Sequence, residues 1–183
     1  MMTIDELDKY IYKHIQGVFY PNDMRILKEE IEKLKSGDLY VEIGVDEGRS
    51  ARIAHEYADQ GVIKIYIDIN NVDHFEWDGG SSIGRGRWMQ QEKMVGIGIN
   101  GFFIHGDADL FPQLIKPVNL IHIDGHHNYD SVKQNTLIWE PRMAKNGVML
   151  FHDYDHPETK QWLDEHYGDN KEILHGKVVR VRL

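Results

Sequence analysis

The chain has 183 residues, of which 41% are hydrophobic and 28% are charged, and its formal net charge is −9 with histidine counted as neutral. This balance is ordinary for one globular domain, and the acidic charge argues against a nucleic-acid partner, which needs clustered lysine and arginine. The sequence lacks cysteine, which excludes disulfides and thiolate chemistry. It has no apolar run near the roughly 20 residues of a membrane span, which excludes a membrane partner of that kind. A cytoplasmic location is expected.

Two amphipathic helices are predicted at the N-terminus. Residues 3–16 open with the capping-box pattern Thr3-Ile4-Asp5-Glu6, and apolar residues recur every three or four positions after it. Residues 22–35 repeat this periodicity, with Asn22 as the expected cap. We expect residues 1–37 to form a helical cap on the rest of the domain.

A strand–turn–helix–strand unit follows. The segments 39–43 and 62–68 are rich in valine, isoleucine and tyrosine, as strands are, and a helix is predicted over about 50–60, after the glycine-bounded turn 44–48. A unit of this kind pairs its two strands in parallel through a right-handed crossover.

Residues 70–100 are predicted to form an inserted lid. The stretch 79–86 is rich in glycine and serine, and 88–98 has a weak helical pattern. Whether the 79–86 loop closes over a substrate or is simply solvated stays open at this point.

The rest of the chain continues the alternation of strands and helices and shows no linker, so residues 1–183 are predicted to be a single doubly wound α/β domain. Further strands are predicted at 102–105, 118–124, 147–152, 173–174 and 178–183, and further helices at 130–144 and just after Pro157.

The first strand–helix turn, Glu42–Gly48, contains two glycines and three acids. Glycine allows a tight turn, and the helix that follows offers free N–H groups to a ligand. The dinucleotide fingerprint requires a glycine where Asp46 stands, which disfavours a nicotinamide dehydrogenase. Acids in and before the turn suit a cationic or zwitterionic ligand instead, and S-adenosylmethionine, with its sulfonium and amine, is one.

Two further acids end the next strands. Asp68 is placed to bind ribose hydroxyls, and Asp107 could face an adenine edge. Together, Glu42–Ser50, Asp68 and Gly106–Ala108 resemble the successive motifs of class I S-adenosylmethionine-dependent methyltransferases. The resemblance implies a doubly wound, Rossmann-like, seven-stranded sheet, mostly parallel with an antiparallel last strand. The cofactor-binding residues would be Glu42, Gly44, Gly48, Ser50, Asp68, Asp107, Ala108 and Asp124.

A second group of polar residues ends two later strands. One apolar run ends in Asp124-Gly125-His126-His127, and another ends in His152-Asp153-Tyr154. Neighbouring parallel strands bring such residues to one edge of a sheet. Asp124, His152 and Asp153 could hold one divalent cation there, and a histidine next to them could accept a proton.

The patterns Asp-Gly-His-x-x-Tyr and Gly-Val-x-x-x-His-Asp-Tyr resemble a narrower group, the small-molecule O-methyltransferases related to macrocin O-methyltransferase and to cephalosporin hydroxylase-like proteins. The resemblance implies that Asp124 and Asp153 bind a metal, magnesium or manganese, and that His126 is the base, with His127 as the alternative. This chain has His152 where those proteins have an acid. Imidazole suits manganese, iron or zinc better than magnesium. The alternative is that His152 contacts the substrate. The expected acceptor is a hydroxyl of a sugar or natural product.

Other interpretations stay open. A metal-dependent hydrolase or oxygenase could use the same cluster, and a non-catalytic domain could retain the cofactor fold. Asp124 could instead cap the helix that starts near Tyr129, and the two turn glycines could serve packing alone. The acceptor, the identity of the metal and the oligomeric state are not indicated by the sequence.

Overall fold

The computed structural model describes residues 2–15, 19–68, 99–111, 117–175 and 177–183. The predicted lid over 70–100, with its loop and its helix, lies almost wholly outside the described residues, so its role stays a prediction. Of the helices within the described ranges, none combines the length and the apolar character that a bilayer span requires.

The described residues form five α-helices and seven strands, with two short 3₁₀ turns at Ala108–Leu110 and Glu140–Arg142. The helices are α1 (Ile4–His14), α2 (Pro21–Ile31), α3 (Arg49–Tyr57), α4 (Tyr129–Trp139) and α5 (Pro157–Tyr167). The strands are β1 (Leu39–Ile43), β2 (Ile63–Asp68), β3 (Phe102–His105), β4 (Val118–Ile123), β5 (Met143–Phe151), β6 (Glu172–Leu174) and β7 (Val178–Arg182).

The strands form one sheet in the order β3-β2-β1-β4-β5-β7-β6. Pairing is parallel from β3 to β5, whereas β7 runs antiparallel to both β5 and β6. The predicted doubly wound sheet with an antiparallel last strand is therefore confirmed. The chain order reverses beside β1, and ligands of such sheets bind at the carboxyl ends of the strands at this point.

Alternate residues of the central strands pack on opposite faces of the sheet. Tyr40 and Leu120 belong to the core beneath α1, α2 and α3, whereas Val41 and Ile121 belong to the core beneath α4 and α5. The sheet is thus covered on both faces, which explains why its strands read as nearly continuous apolar runs.

The N-terminal helices cover one face of the sheet. The predicted capping box of α1 is confirmed, since Thr3 and Glu6 bond each other's backbone N–H groups. The prediction that Asn22 caps α2 is wrong. The helix begins at Pro21, whose missing N–H costs nothing in the first turn, and the Asp23 carboxylate accepts a hydrogen bond from the N–H of Tyr20 at 3.3 Å.

The predicted helix 130–144 is too long. It ends at Trp139, and the next turn, Glu140–Arg142, is 3₁₀, because Pro141 has no N–H to continue the α-helix. β5 then begins at Met143, before the predicted start at 147, and a register shift between Val118 and Leu120 accommodates the extra residues.

Candidate active site

Two glycines shape the turn between β1 and α3. Gly44 has φ +80°, and a Cβ atom on it would lie 2.2 Å from the carbonyl oxygen of Asp124. Gly48 has φ +87° and is the N-cap residue of α3. Both backbone conformations favour glycine, and the backbone next to Gly44 leaves no room for a side chain. The two glycines are therefore needed for the shape of the turn and not for loose packing alone.

Asp68 anchors this turn from the neighbouring strand. Its Oδ2 atom accepts hydrogen bonds from the N–H groups of Val45, at 2.9 Å, and Asp46, at 2.8 Å. Bonds from backbone amides to a carboxylate are among the stronger ones in proteins. This anchoring role was not predicted from the sequence, and contact of Asp68 with a ribose stays a prediction.

The mouth of the turn is strongly acidic. Desolvation, together with the charges of Glu47, Asp68 and Asp124, raises the pKa of Asp46 above its usual range. Burial is the larger cause of this rise, and the neighbouring negative charges add to it. A positively charged ligand group would offset those charges.

Glu42 and Ser50 lie beneath the turn. The Glu42 side chain is fully buried; its carboxylate accepts hydrogen bonds from the hydroxyls of Tyr40, at 2.9 Å, and Ser50. The Nδ1 atom of His122 lies 3.8 Å from the same carboxylate. These contacts support the turn from inside, and the predicted contact of Glu42 and Ser50 with a cofactor stays a prediction.

Asp107 and Ala108 follow β3, two strands away from β1. The exposed Asp107 caps the 3₁₀ turn, because its Oδ1 accepts a hydrogen bond from the N–H of Asp109 at 3.1 Å. Ala108 is buried. Their predicted contact with an adenine edge stays a prediction.

The second cluster lies at the ends of β4 and β5. The Nδ1 atom of His152 is 2.9 Å from Oδ2 of Asp153 and 3.3 Å from Oδ1 of Asp124. The three side chains offer ligand atoms that all lie within 4.8 Å of one another. Asp153 has φ +54°, a conformation that non-glycine residues seldom adopt and that is often found at functional sites.

The chemistry of His152 fits a cation ligand. The side chain is 6% exposed, and neither ring nitrogen completes a well-aligned hydrogen bond within the described residues. Burial lowers the pKa of His152, but the carboxylates of Asp124, Asp153 and Asp23 outweigh burial and raise it to about 12. Burial raises the pKa of Asp153, and His152 lowers it to about 2. In the metal-free chain His152 is therefore an imidazolium, and it supplies the positive charge that a metal ion would otherwise supply. One imidazole and two carboxylates form a donor set that suits a first-row transition ion.

The two predicted base residues differ in position. His127 is partly buried, and its Nδ1 atom lies 3.3 Å from Oδ2 of Asp153. His126 is exposed and lies two positions after Asp124 in the chain. Asp124 does not cap α4, because the cap is Asn128, whose side chain accepts a hydrogen bond from the N–H of Ser131 at 2.8 Å. The alternative that treated Asp124 as a helix cap is therefore wrong.

Two residues not predicted from the sequence, Asp23 and Phe19, lie behind His152. The Oδ2 atom of Asp23, on α2, lies 3.3 Å from Nε2 of His152, and the ring of Phe19 packs 5.4 Å from the His152 ring. A signal was available: Asp23 precedes Leu27 by four positions, so a carboxylate shares the apolar face of α2.

The two clusters lie next to each other along one edge of the sheet. β2, β1, β4 and β5 are consecutive neighbours in the sheet, so Asp68, the Gly44–Gly48 turn, Asp124 and Asp153 follow one another along its carboxyl edge. The N–H of Asp124 donates to the carbonyl of Ile43 at 2.9 Å. An acidic turn suited to a cationic ligand thus adjoins a cluster suited to an ion and a proton.

One comparison with known proteins identifies the family of this chain. A family model described as a methyltransferase domain matches residues 41–154, from within β1 to just past β5. The comparison with curated proteins gave no match.

Several solved structures share the fold. The O-methyltransferase NovP is 15% identical with a TM-score of 0.68, and the match covers 88% of this chain and 79% of that one. The calicheamicin methyltransferase CalS11 is 15% identical with a TM-score of 0.61, covering 87% and 76%. The methyltransferase MycE, in a complex with Mg, SAH and mycinamycin VI, is 13% identical with a TM-score of 0.65, covering 98% of this chain and 54% of that one.

Proposed function

We propose that this chain, which belongs to the family of methyltransferase domains, transfers the methyl group of S-adenosylmethionine to a hydroxyl of a small molecule with the help of a divalent metal. The observation that carries the proposal is the backbone contact of the two clusters: a Cβ on Gly44 would lie 2.2 Å from the Asp124 carbonyl oxygen. A methyl donor at the turn and an acceptor at the metal cluster would therefore be neighbours.

The turn has the features that the donor requires. N–H groups at the start of α3 suit its carboxylate, the acids at 46 and 47 suit its amine and sulfonium, and Asp68 suits its ribose hydroxyls. S-adenosylmethionine supplies an electrophilic methyl group. The protein's part in the displacement is to align the acceptor oxygen with that group, which can be worth about 7–11 kcal/mol.

The acceptor hydroxyl must lose a proton as its oxygen forms the new bond to carbon. We assign this proton to His126, with His127 as the alternative, since a neutral imidazole nitrogen can accept a proton from a hydroxyl. Asp124, His152 and Asp153 would hold the metal, which would lower the pKa of a bound hydroxyl. The Asp153 carboxylate, 3.3 Å from Nδ1 of His127, would then stabilise positive charge on that ring.

The acceptor class follows from the likeness to proteins that modify sugars and natural products. NovP is named an O-methyltransferase, CalS11 a TDP-rhamnose 3'-O-methyltransferase, and MycE was solved with mycinamycin VI. At these identities the likeness concerns the fold, so a sugar or natural-product hydroxyl is our proposal for the present chain.

Thermal unfolding with two ligands tests the function against its main rival. A methyltransferase should gain stability with S-adenosylhomocysteine alone, because a ligand that binds only the native state raises its stability. A metal-dependent hydrolase on the same Asp–His cluster should gain stability with manganese alone. Stabilisation by metal without any effect of S-adenosylhomocysteine would contradict the proposed function.

A further inference from the structure

We propose that Asp23 is a positioning residue for His152: its carboxylate holds the proton on Nε2, so that Nδ1 is left as the metal ligand. The inference rests on the metal site of the proposed function. It assigns a part of that site to α2, outside the segment that the family model matches.

The two ring nitrogens of His152 face different groups. Nδ1 faces Asp124 and Asp153, at 3.3 and 2.9 Å, whereas Nε2 faces Asp23 at 3.3 Å. An imidazole that binds an ion through one nitrogen carries its proton on the other, and the group that accepts this proton fixes the tautomer. Nδ1, which would bind the ion, faces the strand ends, and Nε2, which would carry the proton, faces α2.

The burial of Asp23 also needs an explanation. The residue is 3% exposed, and an ionised carboxylate that is removed from water is costly unless it is paired. The N–H of Tyr20 provides one partner at 3.3 Å. Nε2 of His152, 3.3 Å from Oδ2 of Asp23, provides a second partner as a close charge contact when it carries a proton.

A second buried acid holds α2 against the sheet. Glu30 lies seven positions after Asp23, on the same side of the helix, and accepts hydrogen bonds from Arg180, at 2.7 Å, and Arg182, at 3.1 Å, on β7. Contacts at both ends of α2, that of Asp23 with Tyr20 and that of Glu30 with β7, therefore fix the position of Asp23. Glu30 also offers a matched control, because it docks the same helix without touching the cluster.

The test measures manganese binding to the full chain by titration calorimetry, without substrate or turnover. Asp23→Ala should weaken manganese binding about 10–100-fold, the usual effect of losing a group that orients a metal-binding histidine. Asp23→Asn should lose less, because its amide oxygen still accepts the Nε2 proton. Glu30→Gln should bind manganese as the unmodified chain does. Equal losses in Asp23→Ala and Glu30→Gln would show that only helix docking matters, and would overturn the proposal.

A second background separates positioning from simple charge. In His152→Asp there is no Nε2 proton to hold, so adding Asp23→Ala should change manganese affinity less than threefold. An undiminished effect in that background would overturn the proposal. Pulsed electron paramagnetic resonance should detect ¹⁴N coupling from a bound imidazole in the manganese form, and it should vanish in His152→Asp.

These results are independent of methyl transfer. Failure to bind S-adenosylhomocysteine would contradict the proposed function and leave the role of Asp23 standing. Absence of manganese binding to the unmodified chain would overturn the role of Asp23 and the metal part of the proposed function, and would leave the methyl transfer itself standing.

Discussion

Gly44 and Asp124 are in backbone contact, since a Cβ atom on Gly44 would meet the Asp124 carbonyl oxygen at 2.2 Å. The glycine of the acidic turn therefore touches the first residue of the candidate metal cluster. Any change that separates the two should harm both, and this relationship links the predictions that follow.

Gly44→Ala should destabilise the fold and weaken binding of S-adenosylhomocysteine. The added methyl group meets backbone atoms that cannot turn aside, and overpacking of this kind costs about 1–3 kcal/mol. The control is Gly37→Ala, which has a similar positive φ of +88° but nothing within 4 Å of the added atom, so it should show only the strain of the conformation. Urea unfolding and calorimetry measure the two effects; an equal cost at both glycines would contradict the contact.

Asp68→Asn should weaken binding of S-adenosylhomocysteine by at least about tenfold. Hydrogen bonds to a charged acceptor contribute about 1.5–3 kcal/mol, and Asn retains the shape while losing the charge that anchors Val45 and Asp46. Asp59→Asn is the control. Asp59 lies outside the Gly44–Gly48 turn and also accepts a backbone hydrogen bond, from the N–H of Gly61 at 2.8 Å. Equal affinity in Asp68→Asn and the unmodified chain would remove Asp68 from the cofactor site.

His126→Ala should lower kcat by about 10²–10⁴-fold and leave affinity for S-adenosylhomocysteine unchanged, as expected for loss of a general base. His127→Ala should instead weaken manganese binding, because His127 contacts Asp153. Steady-state kinetics at saturating metal distinguishes the two. The opposite pattern would assign the base to His127.

Stability of the metal-free chain should fall as pH rises above about 6.5. The pKa of His152 is raised to about 12 in the fold, above its ordinary value, so its contribution is full below about 6.5 and decreases until the folded value is reached. The lowered pKa of Asp153, about 2, acts the other way, so its contribution is lost only as the pH falls below about 3.8 toward that value.

The measurement is urea unfolding in chelator at several pH values, comparing the chain with His152→Gln. The difference between their free energies of unfolding should shrink by up to ~1.4 kcal/mol per pH unit as the pH rises above about 6.5. A difference that does not depend on pH would mean that His152 is neutral in the metal-free protein.

Manganese should bind more tightly than magnesium, because imidazole is a poor ligand for magnesium. His152→Asp should shift the preference toward magnesium, since it makes the three ligands carboxylates. Calorimetric titration with each ion checks this, and an unchanged ratio of affinities would show that His152 does not touch the metal.

The strands and the polar residues at their ends could be predicted from sequence because the signals are local. Apolar runs mark β1, β4 and β5, and parallel strands bring their carboxyl ends to one edge. The glycines of the turn were found for the same reason, since a tight turn before a helix limits which residues fit.

The contact of Asp23 with His152 could not be predicted in the same way. It joins residues far apart in the chain, and it depends on how α2 packs across the sheet, which no local pattern determines. The anchoring role of Asp68 was missed because one carboxylate at a strand end can serve either a ligand or the neighbouring turn. The early stop of α4 was predictable, since Pro141 stands in the sequence.

A crystal structure with S-adenosylhomocysteine and manganese, located by its anomalous scattering, tests the central claim most directly. We expect the nucleoside ligand against Gly44–Gly48 and the ion between Asp124, His152 and Asp153, both in one crevice. A ligand and an ion bound in separate places, or an ion site without Asp124, would contradict the account.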